Sequence, residues 1–188
     1  MKIALVVLGS LLLVGLLLGG SLMSEKNQLV TEHEAVAAAW SQVDVALERR
    51  ADLIPNLVET VKGGAAHEEK VVSDVTTARA AMMGARTPAE KIQANSQLDG
   101  ALSRLMVVVE NYPNIKANEN FLRLQDELAG TENRIAVERR KYNEVVQRYN
   151  TDIALFPKNI AAGMWGFQRE DAYFKADTAA KEVPKVKF

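Results

Sequence analysis

The sequence predicts an all-α fold: an elongated antiparallel bundle of three to four long helices behind an amino-terminal transmembrane helix. Three observations predict it. The stretch from Ile3 to Met23 contains no charged residue. Further along, apolar residues recur in steps of three and four over several separate stretches, the spacing of a helix that packs along one face. No strand-like run competes with them.

The apolar stretch, IALVVLGSLLLVGLLLGGSLM, would reach about 31 Å at about 1.5 Å per residue, enough to cross a hydrocarbon core of about 30 Å. A soluble core helix is not usually apolar on every face. A cleaved signal peptide is the rival reading, with Gly19 and Ser21 as small residues for a peptidase, but its apolar core would be shorter. A retained anchor is therefore expected. Gly15 and Gly19 form a small-xxx-small pair that could let two spans pack closely, although glycine is common in membrane helices anyway. Lys2 and the terminal amine precede the span, whereas Glu25, Lys26, Glu32 and Glu34 follow it. The small difference in positive charge leans toward the amino terminus inside and the domain outside the cytoplasm.

After the span, Leu29, His33, Val36, Trp40, Val43, Leu47, Arg50, Ile54, Leu57 and Val61 form a heptad seam. No glycine or proline separates Met23 from Leu29, so span and seam can be one helix. Pro55 lacks an amide donor and disfavours helix at Ile54, which predicts a kink or break there. Gly63-Gly64 suits a helix end. Val71, Val75, Ala78 and Met82 mark a second helix, and the chain then turns around Met83 to Arg86. Thr87-Pro88-Ala89-Glu90 is a capping box with proline at the first helical position. The helix it opens carries Leu98, Leu102, Leu105, Val109 and Tyr112 on one seam, and Pro113 closes it.

The longest helix is expected from about Ile115 to Phe156. Phe121, Leu128, Ile135, Tyr142, Tyr149 and Phe156 recur every seventh residue, and Pro157 would end it. A continuous helix of that length would measure about 63 Å. These boundaries imply an anchor over residues 1–23, a bundle over 24–157 and a less regular tail over 158–188. The tail keeps Trp165, Phe167, Tyr173 and Phe174, which could pack over the bundle or form a contact surface.

Three segments, WSQVDVALERRADLIPNLVETVK, YPNIKANENFLRLQDELAGTENRIAVERRKYNEVVQRYN and the ending VPKVKF, closely resemble the LemA family. They fall in order and span nearly all of the chain after the apolar stretch. The resemblance implies a bacterial protein with one amino-terminal membrane span and an antiparallel helical bundle. It brings no enzymatic activity and no catalytic residues with it.

Composition narrows function further. The chain has 188 residues, a formal net charge of −1, and no cysteine. No global field draws it to nucleic acid, and thiol catalysis, disulfides and cysteine zinc sites are excluded. His67-Glu68-Glu69 is not HExxH, and His33 and His67 are the protein's two histidines, a poor supply for a tetrahedral metal site. No catalytic residue, metal or cofactor is expected. Arg50 lies on the first seam, and Glu132 and Arg139 lie beside the seam of the long helix. These three residues predict a polar layer, read first as a buried ion pair fixing helix register and second as a recognition site. Arg49 and Asp52, three apart, read as a surface pair. Tyr142-Asn143 and Tyr149-Asn150 repeat at seven residues and read as core.

The function expected is that of a non-enzymatic scaffold in the bacterial inner membrane. It would contact the bilayer and copies of itself or another membrane protein. The alternative is a regulatory or sensor module acting on a partner membrane protein through the polar layer.

Overall fold

The computed structural model describes residues 2–65 and 68–175. His67 and the ending VPKVKF lie outside the described residues. Among those described, the chain forms six helices and no strand: α1 (Lys2–Lys62), α2 (Glu69–Gly84), α3 (Pro88–Val109), α4 (Pro113–Lys116), α5 (Glu119–Asp152) and α6 (Lys158–Trp165). The all-α bundle is as the periodicity predicts. Among the described residues the chain gathers into two compact units, one formed by residues 2–40 with 141–171, the other by 41–140 with 172–175.

The second unit is built on the seams. Val43, Leu47, Ile54, Leu57 and Val61 of α1 are buried, as are Leu98, Leu102, Leu105 and Val109 of α3 and Phe121, Leu128 and Ile135 of α5. On α2 the buried residues are Val72, Val75, Ala78 and Met82. Val72 thus takes the core position that spacing from Val75 gave to Val71. Lys91 pairs with Asp44, and Arg50 further along α1 pairs with Asp99 further along α3, so α1 and α3 run in the same sense. Tyr112 bonds Glu68 and Arg104 pairs with Asp74, so α2 runs the opposite way.

Local chemistry sets the ends of these helices. Thr87 caps α3, accepting from the Glu90 amide at 3.2 Å while the Glu90 carboxylate accepts from Thr87 N at 3.0 Å. Asn118 opens α5 by accepting from Asn120 N and Phe121 N. That cap divides the long helix expected from Ile115 into α4 and α5. At Gly64 a Cβ would meet Ile115 Cγ1 at 2.5 Å, so the turn after α1 needs glycine for close approach.

The expected kink or break at Pro55 is corrected in one respect: α1 does not end there but runs to Lys62. Proline removes the amide that would bond the carbonyl of Ala51, four residues back. Arg79 of α2 supplies the missing donor, its Nε lying 2.7 Å from Ala51 O. Ala51 is fully buried, so that carbonyl would otherwise be stranded from water.

In the first unit α1 begins apolar and bare. Ile3 and Leu16 are 81% and 74% exposed, and neighbours such as Leu8, Leu12 and Leu18 exceed half. Full burial starts at Leu29. Trp40 of α1 meets Tyr142 of α5 edge-on at 5.3 Å, and His33 lies 5.7 Å from Tyr149, so α5 runs antiparallel to α1. The seventh-residue series holds for Phe121 to Tyr149 and then fails. α5 stops at Asp152, and Phe156 is 79% exposed. Pro157 disfavours helix in the residue before it, and the chain turns ahead of it into α6.

Candidate functional site

The polar layer lies in the second unit, where a seam of apolar side chains is interrupted. Arg50 is 7% exposed and takes the seam position between Leu47 and Ile54. Its Nη1 donates to Asn95 Oδ1 at 3.3 Å and to Asp99 Oδ1. Glu132 Oε2 lies 2.9 Å from the same nitrogen as an ion pair. Asn95, fully buried, donates to Asp99 Oδ2 at 3.0 Å one helical turn away. Arg139 Nη2 stands 3.8 Å from Asp99 Oδ2, and its guanidinium lies 4.7 Å from the Phe174 ring centre. Two guanidinium groups thus face two carboxylates, and the charge of the layer closes to zero.

The structure brings Arg50 to Glu132 directly and Arg139 to the same cluster through Asp99. Asn95 and Asp99 were not anticipated. A signal for Asn95 was present, since it stands three residues before Leu98 and extends the α3 seam backwards with a polar residue. Arg50 Nε and Arg139 Nε are buried without a hydrogen-bond partner. A cavity of about 520 Å³ opens beside the layer, lined by Arg50, Asp99, Glu132 and Arg139 together with Leu102 and Leu128. Such a layer can hold helix register, and its guanidinium groups can grip a carboxylate or an equivalent acceptor. Arg49 and Asp52 are both exposed on the outer face of α1.

The first unit has its own polar core. Lys158, opening α6, donates to Glu32 of α1 at 2.7 Å and to Asp152 of α5 at 2.6 Å. Burial pushes the Glu32 carboxyl up, assisted by the Asp152 carboxylate and opposed by Lys158. The hydrogen bond from Lys158 holds Asp152 below the ordinary carboxylate value against the effect of burial. Burial works against the Lys158 charge, but the two carboxylates outweigh it and raise the ammonium above its usual range. Beside this cluster, Tyr149 donates to Gln168 O at 2.9 Å. Asn150 donates to Glu170 O at 2.7 Å and accepts from Glu170 N at 2.9 Å. The Tyr149-Asn150 pair, expected as core, therefore also clamps the chain after α6.

The family model described as LemA family matches residues 39–188. The chain belongs to the LemA family. Among curated relatives, this LemA-family chain is 30% identical to Magnetosome protein MamQ 2 of Paramagnetospirillum magneticum, over 85% of its own length and 68% of that protein. It is 28% identical to Magnetosome protein MamQ of Magnetospirillum gryphiswaldense, over 82% and 66% of the two chains. With Protein LemA of Metamycoplasma hominis it shares 25% identity over 87% and 73%. The match begins at residue 39 and takes in all five residues of the Arg50 layer, together with Asp152 and Lys158. Gly15 and Gly19 lie ahead of it.

Proposed function

We propose that this LemA-family protein is a non-enzymatic scaffold, held in the bacterial inner membrane by the first part of α1 and self-associating within the bilayer. The observation that carries this reading is the exposed apolar stretch from Ile3 to Met23, which continues without a break into the first helix of the domain. A bare surface of this kind needs lipid or protein around it. Nothing lies within 4 Å of where a Cβ would stand at Gly15 or Gly19, so the backbone there is open to a second span.

Because the chain has no cysteine, single cysteines introduced from Leu11 to Leu18 can report which face meets a second copy. Disulfide dimers in membranes should peak at Gly15→Cys and on the same helical face one turn away at Leu11→Cys. Equal or negligible crosslinking around the helix would overturn self-association through this face.

A second reading is a regulatory module that engages a partner membrane protein at the Arg50 layer. It is favoured by the cavity beside buried Arg50 and Arg139. A photo-crosslinking residue in place of Ser103 or Gln125, both on the cavity wall, should then capture a discrete partner in cells. That adduct should vanish with Arg50→Met while the variant keeps its helicity. An unchanged adduct pattern would remove this reading.

A further inference from the structure

We propose that the carboxyl end of α6, Met164 and Trp165, seats in the headgroup zone of the same bilayer that α1 crosses, giving the protein a second membrane contact. This rests on the anchorage proposed above.

The register of α6 against α1 places it there. From Leu5 to Ser21 every side chain of α1 is exposed, and the first partly covered residue is Leu22, still inside the apolar stretch. Leu22, Glu25 and Lys26 are half-buried and Leu29 is fully buried. Their spacing of three, one and three places them on one helical face. Protein packing therefore begins at the end of the span itself. Lys26 Nζ lies 5.7 Å from the Trp165 ring centre, and at the other end of α6 Lys158 bonds Glu32. α6 thus runs back along α1 with Trp165 toward the span. Lys26 stands about 4.5 Å beyond Met23 at about 1.5 Å per residue. That is inside the headgroup layer, roughly 5–8 Å deep on each side of the hydrocarbon core. Phe156, which precedes Lys158 and the level of Glu32, is about 13 Å out by the same rise and lies above the lipid.

The chemistry of α6 fits this placement. Its small residues Ala161 and Ala162 are buried, while Met164 is 64% exposed and Trp165 37% exposed. A helix on a soluble surface presents the reverse arrangement. Tryptophan favours the membrane interface, where its ring is shielded and its N–H stays wet. Lys26 can lay its methylenes against the ring and lift its ammonium to the headgroups.

The test uses the full chain in two sets of bilayers, with lipids brominated near the top of the acyl chains to reach Trp165 or near their ends to reach a tryptophan at the middle of the span. The protein has two tryptophans, so Trp40→Phe leaves Trp165 as the sole reporter. A control carrying Trp40→Phe, Trp165→Phe and Leu13→Trp reports on the span. The proposal expects both to lose most of their emission to brominated lipid, with Trp165 also shielded from iodide. A quenched Leu13→Trp control beside an unquenched, iodide-accessible Trp165 would overturn it. So would a Trp165 that is unquenched by lipid but shielded from iodide until the protein is diluted in lipid, which would place a second copy there. Loss of quenching at both positions would overturn the anchorage and this contact with it. If Trp40→Phe loses helicity, the difference in quenching between wild type and Trp165→Phe gives the same answer.

Discussion

Proline at position 55 and arginine at position 79 act as one unit, and a double-mutant cycle can establish it. Pro55 leaves the Ala51 carbonyl without its intrahelical donor, and Arg79 Nε takes the vacancy at 2.7 Å. Replacing Arg79 by Met keeps most of the apolar stem and removes the donor. A fully buried carbonyl left unpaired costs about 1–3 kcal/mol, so Arg79→Met should destabilise by about 2 kcal/mol. For a chain of this length that corresponds to a fall in Tm of roughly 4–8 °C. Pro55→Ala restores an amide that can bond Ala51 O and should by itself stabilise, since proline is poorly tolerated inside a helix. In the Pro55→Ala background the cost of Arg79→Met should shrink by about 1–2 kcal/mol, because the carbonyl keeps a donor either way. Thermal and urea unfolding of the full chain in detergent, followed by helicity at 222 nm, measures all four corners. Costs that add to within about 0.5 kcal/mol would refute the coupling.

Other substitutions test the rest of the packing. Arg50→Ala should cost about 2–5 kcal/mol by emptying a buried seam position and removing the shared cation of the layer. Arg50→Met should cost less, since its unbranched chain fills most of the space that alanine leaves empty, while Asp99 and Glu132, 36% and 45% exposed, can turn to water in both variants; equal losses in urea melts would contradict this. Gly64→Ala pushes a methyl into Ile115 and should cost about 1–3 kcal/mol, whereas Gly130→Ala, with open space around it, should not destabilise. In the first unit, Glu32→Gln should be milder than Asp152→Asn. Glu32 is already pushed toward its neutral form by burial, while Asp152 is held ionised by Lys158. The reverse order in thermal melts would overturn that assignment of charge. Backbone amides of Arg86 and Thr87 hold the Glu90 carboxyl below its ordinary 4.5. Its folded value is depressed, so the contribution is complete above about pH 4.5 and fades as pH falls through the lower folded value. The stability gap between wild type and Glu90→Gln should narrow on acidification from pH 6 to pH 3 (both about), and a gap independent of pH would refute it.

Much of the fold is legible in the sequence because its signals are local. The series Phe121, Leu128, Ile135, Tyr142 and Tyr149 fixes the buried face of α5 whatever its partner is. Thr87-Pro88-Ala89-Glu90 contains its own hydrogen-bond partners. What escapes the sequence depends on groups far apart in the chain. Pro55 does not end α1, because its remedy is Arg79 on another helix. Phe156 keeps the heptad spacing but loses the helix, because the chain turns before Pro157 and Lys158 folds back to Glu32. The aperiodic tail hides α6, whose eight residues are too few for a seam to register. Arg50, Glu132 and Arg139 are conspicuous as charges at or beside apolar positions. Asp99 is missed because one carboxylate on a helix reads as a solvated residue until Arg50 is placed opposite it.

Light scattering coupled to size-exclusion chromatography, on the full chain in mild detergent, tests the scaffold reading most directly. Wild type should run as a discrete oligomer, and Gly15→Leu with Gly19→Leu should reduce it to a monomer of unchanged helicity. A monomeric wild type at high concentration, or an oligomer indifferent to both substitutions, would contradict self-association through the span.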